Sequence, residues 1–355
     1  MYNIKKGRSM HKKNHYTLKE SSLNYIFSVA AMLVLSFILF SIINNVVSST
    51  GKSYEEVCNF NWVNYLNFIF SALSFFIVFF AYNLITKKNF VKASRLEFRF
   101  NYKILLLVLL LAIITVFASV NATNLYNYTA GIITSTNVTS SLGVSLNTFG
   151  DFCLVVLLCA FLPAVGEELV FRGIIYNGLR EKFSAKTSIL ISALLFALIH
   201  FSIFKTFYQF VLGFVLGLII YFTGSIIYCI IFHFFNNFIV LLISYISQGY
   251  SIFEFTSWGA LQIILTILIF AIGVLVSFFI FKLINKISSK HKYFYRLEPT
   301  NKPLQEYYIN EEYVNTQNSK TNKNNYIQKD DSGKPVFVLS LVLAVVLWVI
   351  MVIGG

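Results

Sequence analysis

Three short runs in this 355-residue chain carry side chains able to do acid–base chemistry. They are Gly166-Glu167-Glu168-Leu169-Val170-Phe171-Arg172-Gly173, then His200 at the end of an apolar run, then His233 with Asn236 and Asn237. Glu168 and Arg172 stand at i, i+4, so on a helix they share a face and can pair. Glu167 is rotated by about 100° from Glu168. The two glutamates therefore need not do the same work: one can be held by the arginine while the other faces a cavity. Phe196 and His200 repeat the i, i+4 spacing, which sets an aromatic ring against one side of the imidazole. His233 and Asn237 repeat it again and could turn two hydrogen-bond donors to one point. A carboxylate, an imidazole and a separate imidazole–amide pair suffice for hydrolysis. The first two hold and deprotonate a water, and the second pair stabilises an oxyanion.

Each run also has a plainer reading. A Glu-Glu-x-x-x-Arg cluster at a helix end can be a solvated salt bridge. A lone His in an apolar helix can be packed, and His and Asn can serve as interhelical hydrogen-bonding glue in a membrane. What favours a site is their joint occurrence in a chain otherwise stripped of polar groups at membrane depth, where an ionisable side chain costs a few kcal/mol.

That the setting is a membrane follows from composition. The chain is 57% hydrophobic and 12% charged, with mean hydropathy +0.71. Soluble domains run at about 45–50% and about 25%. The apolar residues come in continuous blocks rather than alternating, which argues for helices and against a β-barrel. Spans are expected near 25–47, 62–85, 103–120, 149–165, 187–201, 207–222, 225–243, 261–284 and 336–353. The expectation is an all-α polytopic bundle of about nine transmembrane helices.

The net charge of +13 invites a nucleic-acid partner, but the placement of the charges removes it. Of 28 Lys and Arg, 26 fall on one side of the alternating spans, leaving Lys52 and Lys205 on the other. The positive-inside rule then puts the N-terminus in the cytoplasm of a multi-pass cell-membrane protein. Four cysteines without a paired spacing imply no disulfide or CxxC site.

The organisation expected along the chain begins with a basic cytoplasmic tail, 1–24. Accessory spans and outer loops come next at 25–148, the second of those loops being 121–148. The core with all three polar runs is 149–284. Beyond it lies a polar cytoplasmic segment at 285–335 that reads as disordered, and 336–355 is an anchor helix with nothing polar beyond Ser340.

Glu167-Glu168-x-x-x-Arg172, then Phe196-x-x-x-His200, then His233-x-x-x-Asn237 resemble the signature motifs of the CAAX-protease and bacteriocin-processing (CPBP, Abi-like) intramembrane protease family, which includes the type II prenyl endopeptidases. Pro163 before the Glu pair and Phe171-Arg172-Gly173 within it also fit, and the resemblance covers roughly 149–245. It implies an endopeptidase in which Glu167 and His200 activate water and His233 with Asn237 form the oxyanion hole. Glu168 and Arg172 are then supporting residues. Its implied substrate is a membrane-associated or lipid-modified peptide. The family's members are often called metalloproteases, and Glu167, His200 and His233 are the alternative zinc ligands. As an oxyanion pair, however, His233 and Asn237 leave only two residues for the metal, short of the usual three. A metal-free mechanism is favoured on that count.

Two rivals stay open. One is a non-cleaving immunity or peptide-binding membrane protein. The other is a transporter with a Glu/His relay, against which stands the lack of an inverted repeat. One geometric tension also stands. If the fourth span ends near 165, Glu167 lies near the cytoplasmic surface, whereas His200, counted from about Thr187, lies about 20 Å deeper. The two meet only if residues 166–183 are recessed or the helices strongly tilted.

Overall fold

A computed structural model describes residues 15–97, 100–134, 144, 146–247, 258–290 and 333–354. Among these residues the regular structure is helical throughout. The long elements are α1 (Leu18–Thr50), α3 (Asn61–Thr86), α5 (Tyr102–Thr134), α6 (Phe149–Lys182), α8 (Ile203–Thr223), α9 (Ile226–Ile246), α10 (Ala260–Lys290) and α11 (Gly333–Gly354). Short helices α2 (Tyr54–Cys58), α4 (Phe90–Ala93) and α7 (Ala185–Leu198) join them. Eight described helices are long and apolar enough to cross a membrane. The chain is thus a polytopic membrane bundle. The ninth expected span, 187–201, is the 14-residue α7, apolar but too short to be a span by itself.

Two boundaries differ from the hydropathy reading in ways that matter. Helix α5 runs to Thr134, so the outer loop expected from 121 begins later, and most residues from 135 to 145 lie outside the described ones. Helix α6 does not stop near 165 but continues unbroken to Lys182. It continues because its later polar groups have partners inside the fold. The Asn177 amide donates to the carbonyls of Arg172 and Gly173, at 3.0 and 2.9 Å. Arg180, fully buried, donates to the carbonyl of Phe183. Buried polar groups that find hydrogen-bond partners inside the fold lower the cost of keeping the helix out of water.

The core that positions the polar runs is built from α6 to α9. Phe183 and Ser184 turn α6 into α7, and the Ser184 hydroxyl caps α7 at the amide of Thr187. Helices α7 and α8 pack with small residues between them: a Cβ added at Gly213 would meet the Ala193 Cα at 3.0 Å, and one at Gly217 would meet Ile189 Cγ2 at 2.8 Å. This is the Gly-x-x-x-Gly spacing that lets membrane helices approach closely. Gly224, at φ +69°, ends α8 in the left-handed region, and Ser225 opens α9 directly after it.

The C-terminal helix is not isolated. Helix α11 lies along α1 and touches α7, with Ala344 fully buried and Phe337 against the ring of Phe183. The anchor expected at 336–355 is therefore a packed element of the bundle. The tail 1–14 and the stretch 291–332 lie outside the described residues.

Candidate active site

The Glu pair sits on α6 between two π-helical turns, Val156–Phe161 and Phe171–Ile175. Each such turn inserts an extra residue into the helical winding, and π-bulges recur at functional sites. Pro163 lies just after the first and cannot supply the amide N–H that an α-helix gives to the carbonyl four residues back, here Cys159.

The long α6 removes the depth tension. Glu167 lies fifteen residues before Lys182, and His200 lies fifteen residues after Ala185. At 1.5 Å per residue Glu167 is about 22 Å from the end of α6, and Leu198, the last residue of α7 and two before His200, is about 20 Å from the start of α7. By residue count the two motifs stand at similar depth, so no strong tilt is needed to bring them level.

Glu168 and Arg172 pair as their spacing requires, with Arg172 Nη1 donating to Glu168 Oε1 at 2.6 Å and neither side chain exposed. The arginine is held at three points. Its other terminal nitrogen donates to the Gly213 carbonyl at 2.9 Å, and the guanidinium lies 4.7 Å from the centre of the Phe196 ring. The close approach of α7 and α8 at Gly213 is what brings that carbonyl within reach.

Glu168 Oε1 also accepts from His233 Nδ1 at 3.0 Å. An ionised carboxylate only accepts, so the proton sits on Nδ1 and the far nitrogen, Nε2, is the one turned to Glu167. Nε2 lies 4.0 Å from Glu167 Oε2. Glu167 is 7% exposed and Glu168 0%. The adjacent glutamates thus differ as their rotation suggests: one is locked between an arginine and a histidine, and the other faces the far edge of that histidine.

His200 is oriented by the same reasoning. Its Nδ1 lies 2.8 Å from the Phe196 carbonyl, which can only accept, so Nδ1 carries the proton and Nε2 keeps a lone pair. The residue after it, Phe201, has φ +47°, a conformation that costs a non-glycine residue energy and occurs preferentially at functional sites. Phe196 joins all three motifs: its ring meets His200 at 5.2 Å, His233 at 5.9 Å and Phe171 at 5.0 Å between centres.

Asn237 is placed differently from a simple partner of His233. Its amide donates to the Cys159 carbonyl at 3.3 Å, which uses one of the two Nδ2 hydrogens. The neighbouring Asn236, fully buried, donates to the Tyr208 hydroxyl at 2.7 Å.

Several of these partners did not stand out in the sequence. Gly213 and Gly217 could have been found from their four-residue spacing. Cys159 and Tyr208 carry no local signal. Lys205, which the charge count assigns to an outer loop, lies in the first turn of α8, within electrostatic reach of Glu167, His200 and Cys159.

The zinc alternative needs three ligands converging on one point. Among the described residues, which include Glu167, His200 and His233, no group of three His, Cys, Asp or Glu side chains is arranged to hold a metal ion.

Residues 149–239 match the family model described as Type II CAAX prenyl endopeptidase Rce1-like. The match holds all three motifs and spans roughly a quarter of the chain, from the start of α6 to late in α9. It agrees with the family resemblance of the motifs. Neither the curated proteins nor the solved structures yield a match.

Proposed function

We propose that this multi-pass membrane protein is an intramembrane endopeptidase that hydrolyses a peptide bond of a membrane-associated or lipid-modified peptide. The family match supports protease activity in general. The observation that carries the finer reading is His233, tied through Nδ1 to Glu168 while its Nε2 faces Glu167 across 4.0 Å.

The chemistry follows from the proton positions. A water held between the Glu167 carboxylate and His200 Nε2 has two acceptors to orient it. Glu167 takes one of its protons as the oxygen attacks the scissile carbonyl carbon. The carbonyl π electrons move to oxygen, giving a tetrahedral oxyanion. His233 enters the step as the imidazolium, its charge offset by the Glu168 carboxylate through Nδ1, and donates from Nε2 to the oxyanion. Asn237 donates the Nδ2 hydrogen that Cys159 does not use. When the intermediate collapses, the C–N bond breaks and Glu167 returns its proton to the leaving amine.

The placement of basic residues supports a site open to the cytoplasm, and the bilayer supports a substrate delivered along the membrane rather than from bulk water. The test is cleavage of a membrane-anchored peptide library by purified protein and by Glu167→Gln. Mapped cuts that vanish in the variant support the reading. Peptide binding that survives without any cut in either protein points to the non-cleaving binder instead.

A further inference from the structure

The first two turns of α8 are gripped from three directions. Thr206, Phe207 and Tyr208 are successive residues, rotated by about 100° each, so their side chains fan over roughly 200°. Each meets a different helix. The Tyr208 hydroxyl accepts from Asn236 on α9 at 2.7 Å. Phe207 stacks on Tyr126 of α5, 5.5 Å between centres and 22° between planes. Thr206 Oγ1 accepts from the indole Nε1–H of Trp348 on α11 at 3.0 Å, across 142 residues of sequence.

The third contact bears on the histidine. Having accepted from Trp348, the Thr206 hydroxyl donates its own hydrogen to the Ser202 carbonyl at 2.7 Å. Ser202 begins α8, makes no side-chain cap of its own, and comes after the strained Phe201, itself next to His200. The hydrogen-bond directions are consistent along the whole path: indole to hydroxyl, hydroxyl to carbonyl.

We propose that Trp348 is a positioning residue for His200, so that the C-terminal helix is a working part of the site rather than an anchor. By holding Thr206, the indole keeps the hydroxyl aimed at Ser202, and this fixes the turn that sets the height and direction of the imidazole. Its kinetic consequence rests on the peptidase reading; its structural consequence does not.

The experiment uses full-length protein and the library peptide that it cuts best. Trp348→Phe keeps an aromatic ring but loses the donor, and Thr206→Val keeps the shape but loses both hydrogen bonds. Each should lower kcat about fivefold, the worth of one hydrogen bond, with KM unchanged. Thr206→Ser should retain wild-type kcat. The double variant should be no slower than the slower single one, because both remove the same link. Hydrogen exchange at residues 199–206 should quicken about fivefold in Trp348→Phe, with the second half of α8 unaffected. Wild-type kcat in Trp348→Phe, or losses that multiply in the double variant, would overturn the proposal. A wild-type protein that cuts nothing sinks the peptidase reading alone. Exchange then decides, and unchanged rates at 199–206 refute the link.

Discussion

Asn237 donates its side-chain amide to the backbone carbonyl of Cys159, 3.3 Å away. That carbonyl lies four residues before Pro163, which has no N–H to give it. The asparagine thus has a structural duty before any chemical one. Its second amide hydrogen is what the proposed oxyanion role would use.

The two duties can be separated. Asn237→Ala should cost about 10²–10³ in turnover, as loss of one oxyanion donor does. It should also cost about 0.5–1.5 kcal/mol in stability, the net worth of its hydrogen bond to the part-buried Cys159 carbonyl. Adding Pro163→Ala returns a backbone donor at 163 and should recover stability without recovering turnover. Melting and cleavage measured on the same preparations check this, and parallel recovery of both would leave Asn237 with the structural duty only.

Adjacent glutamates should fail in different ways. Glu167→Gln should abolish cleavage and leave the melting temperature nearly unchanged, since its carboxylate makes no direct hydrogen bond to Arg172 or His233. Glu168→Ala leaves Arg172 buried without its counter-charge, a loss of about 3–5 kcal/mol. Its signature is a low melting temperature and poor yield in membranes. The reverse pattern would exchange the roles assigned to the pair.

Metal dependence is open to direct measurement. On the proposed metal-free mechanism, prolonged chelation should leave turnover unchanged, and elemental analysis should find no stoichiometric zinc in active protein. Zinc at one equivalent, with activity lost on removal and regained on return, would overturn the metal-free mechanism while sparing the peptidase reading.

The orientation expected from the placement of basic residues can be tested on intact cells. In a variant lacking Cys58, Cys153, Cys159 and Cys229, single substitutions Lys52→Cys and Thr86→Cys place thiols at exposed positions at opposite ends of the helix pair α1–α3. An impermeant thiol reagent should label the first and spare the second. Equal labelling would remove the cytoplasmic N-terminus and, with it, the cytoplasmic opening of the site.

Elements whose signal is local could be read along the chain alone. Continuous apolar runs made the spans legible, and the i, i+4 spacings made Glu168–Arg172 and Phe196–His200 legible as pairs, because helical geometry fixes what four residues' separation means. The level at which Glu167 stands was set by packing and was hidden until the helices were assembled. Hydropathy registers Glu167, Glu168, Arg172, Asn177 and Arg180 as a reason for α6 to leave the membrane. It sums transfer costs residue by residue and has no term for partners. In the fold, Glu168 has Arg172 and His233, Arg172 has Gly213 and Phe196, and Asn177 and Arg180 have backbone carbonyls. Most of those partners come from other helices or from across a turn, so no window along the chain could contain the full set. The same reason hid Lys205 and Trp348. A lone charge or indole in an apolar block shows its type in the sequence, but its neighbours exist only once the helices have packed.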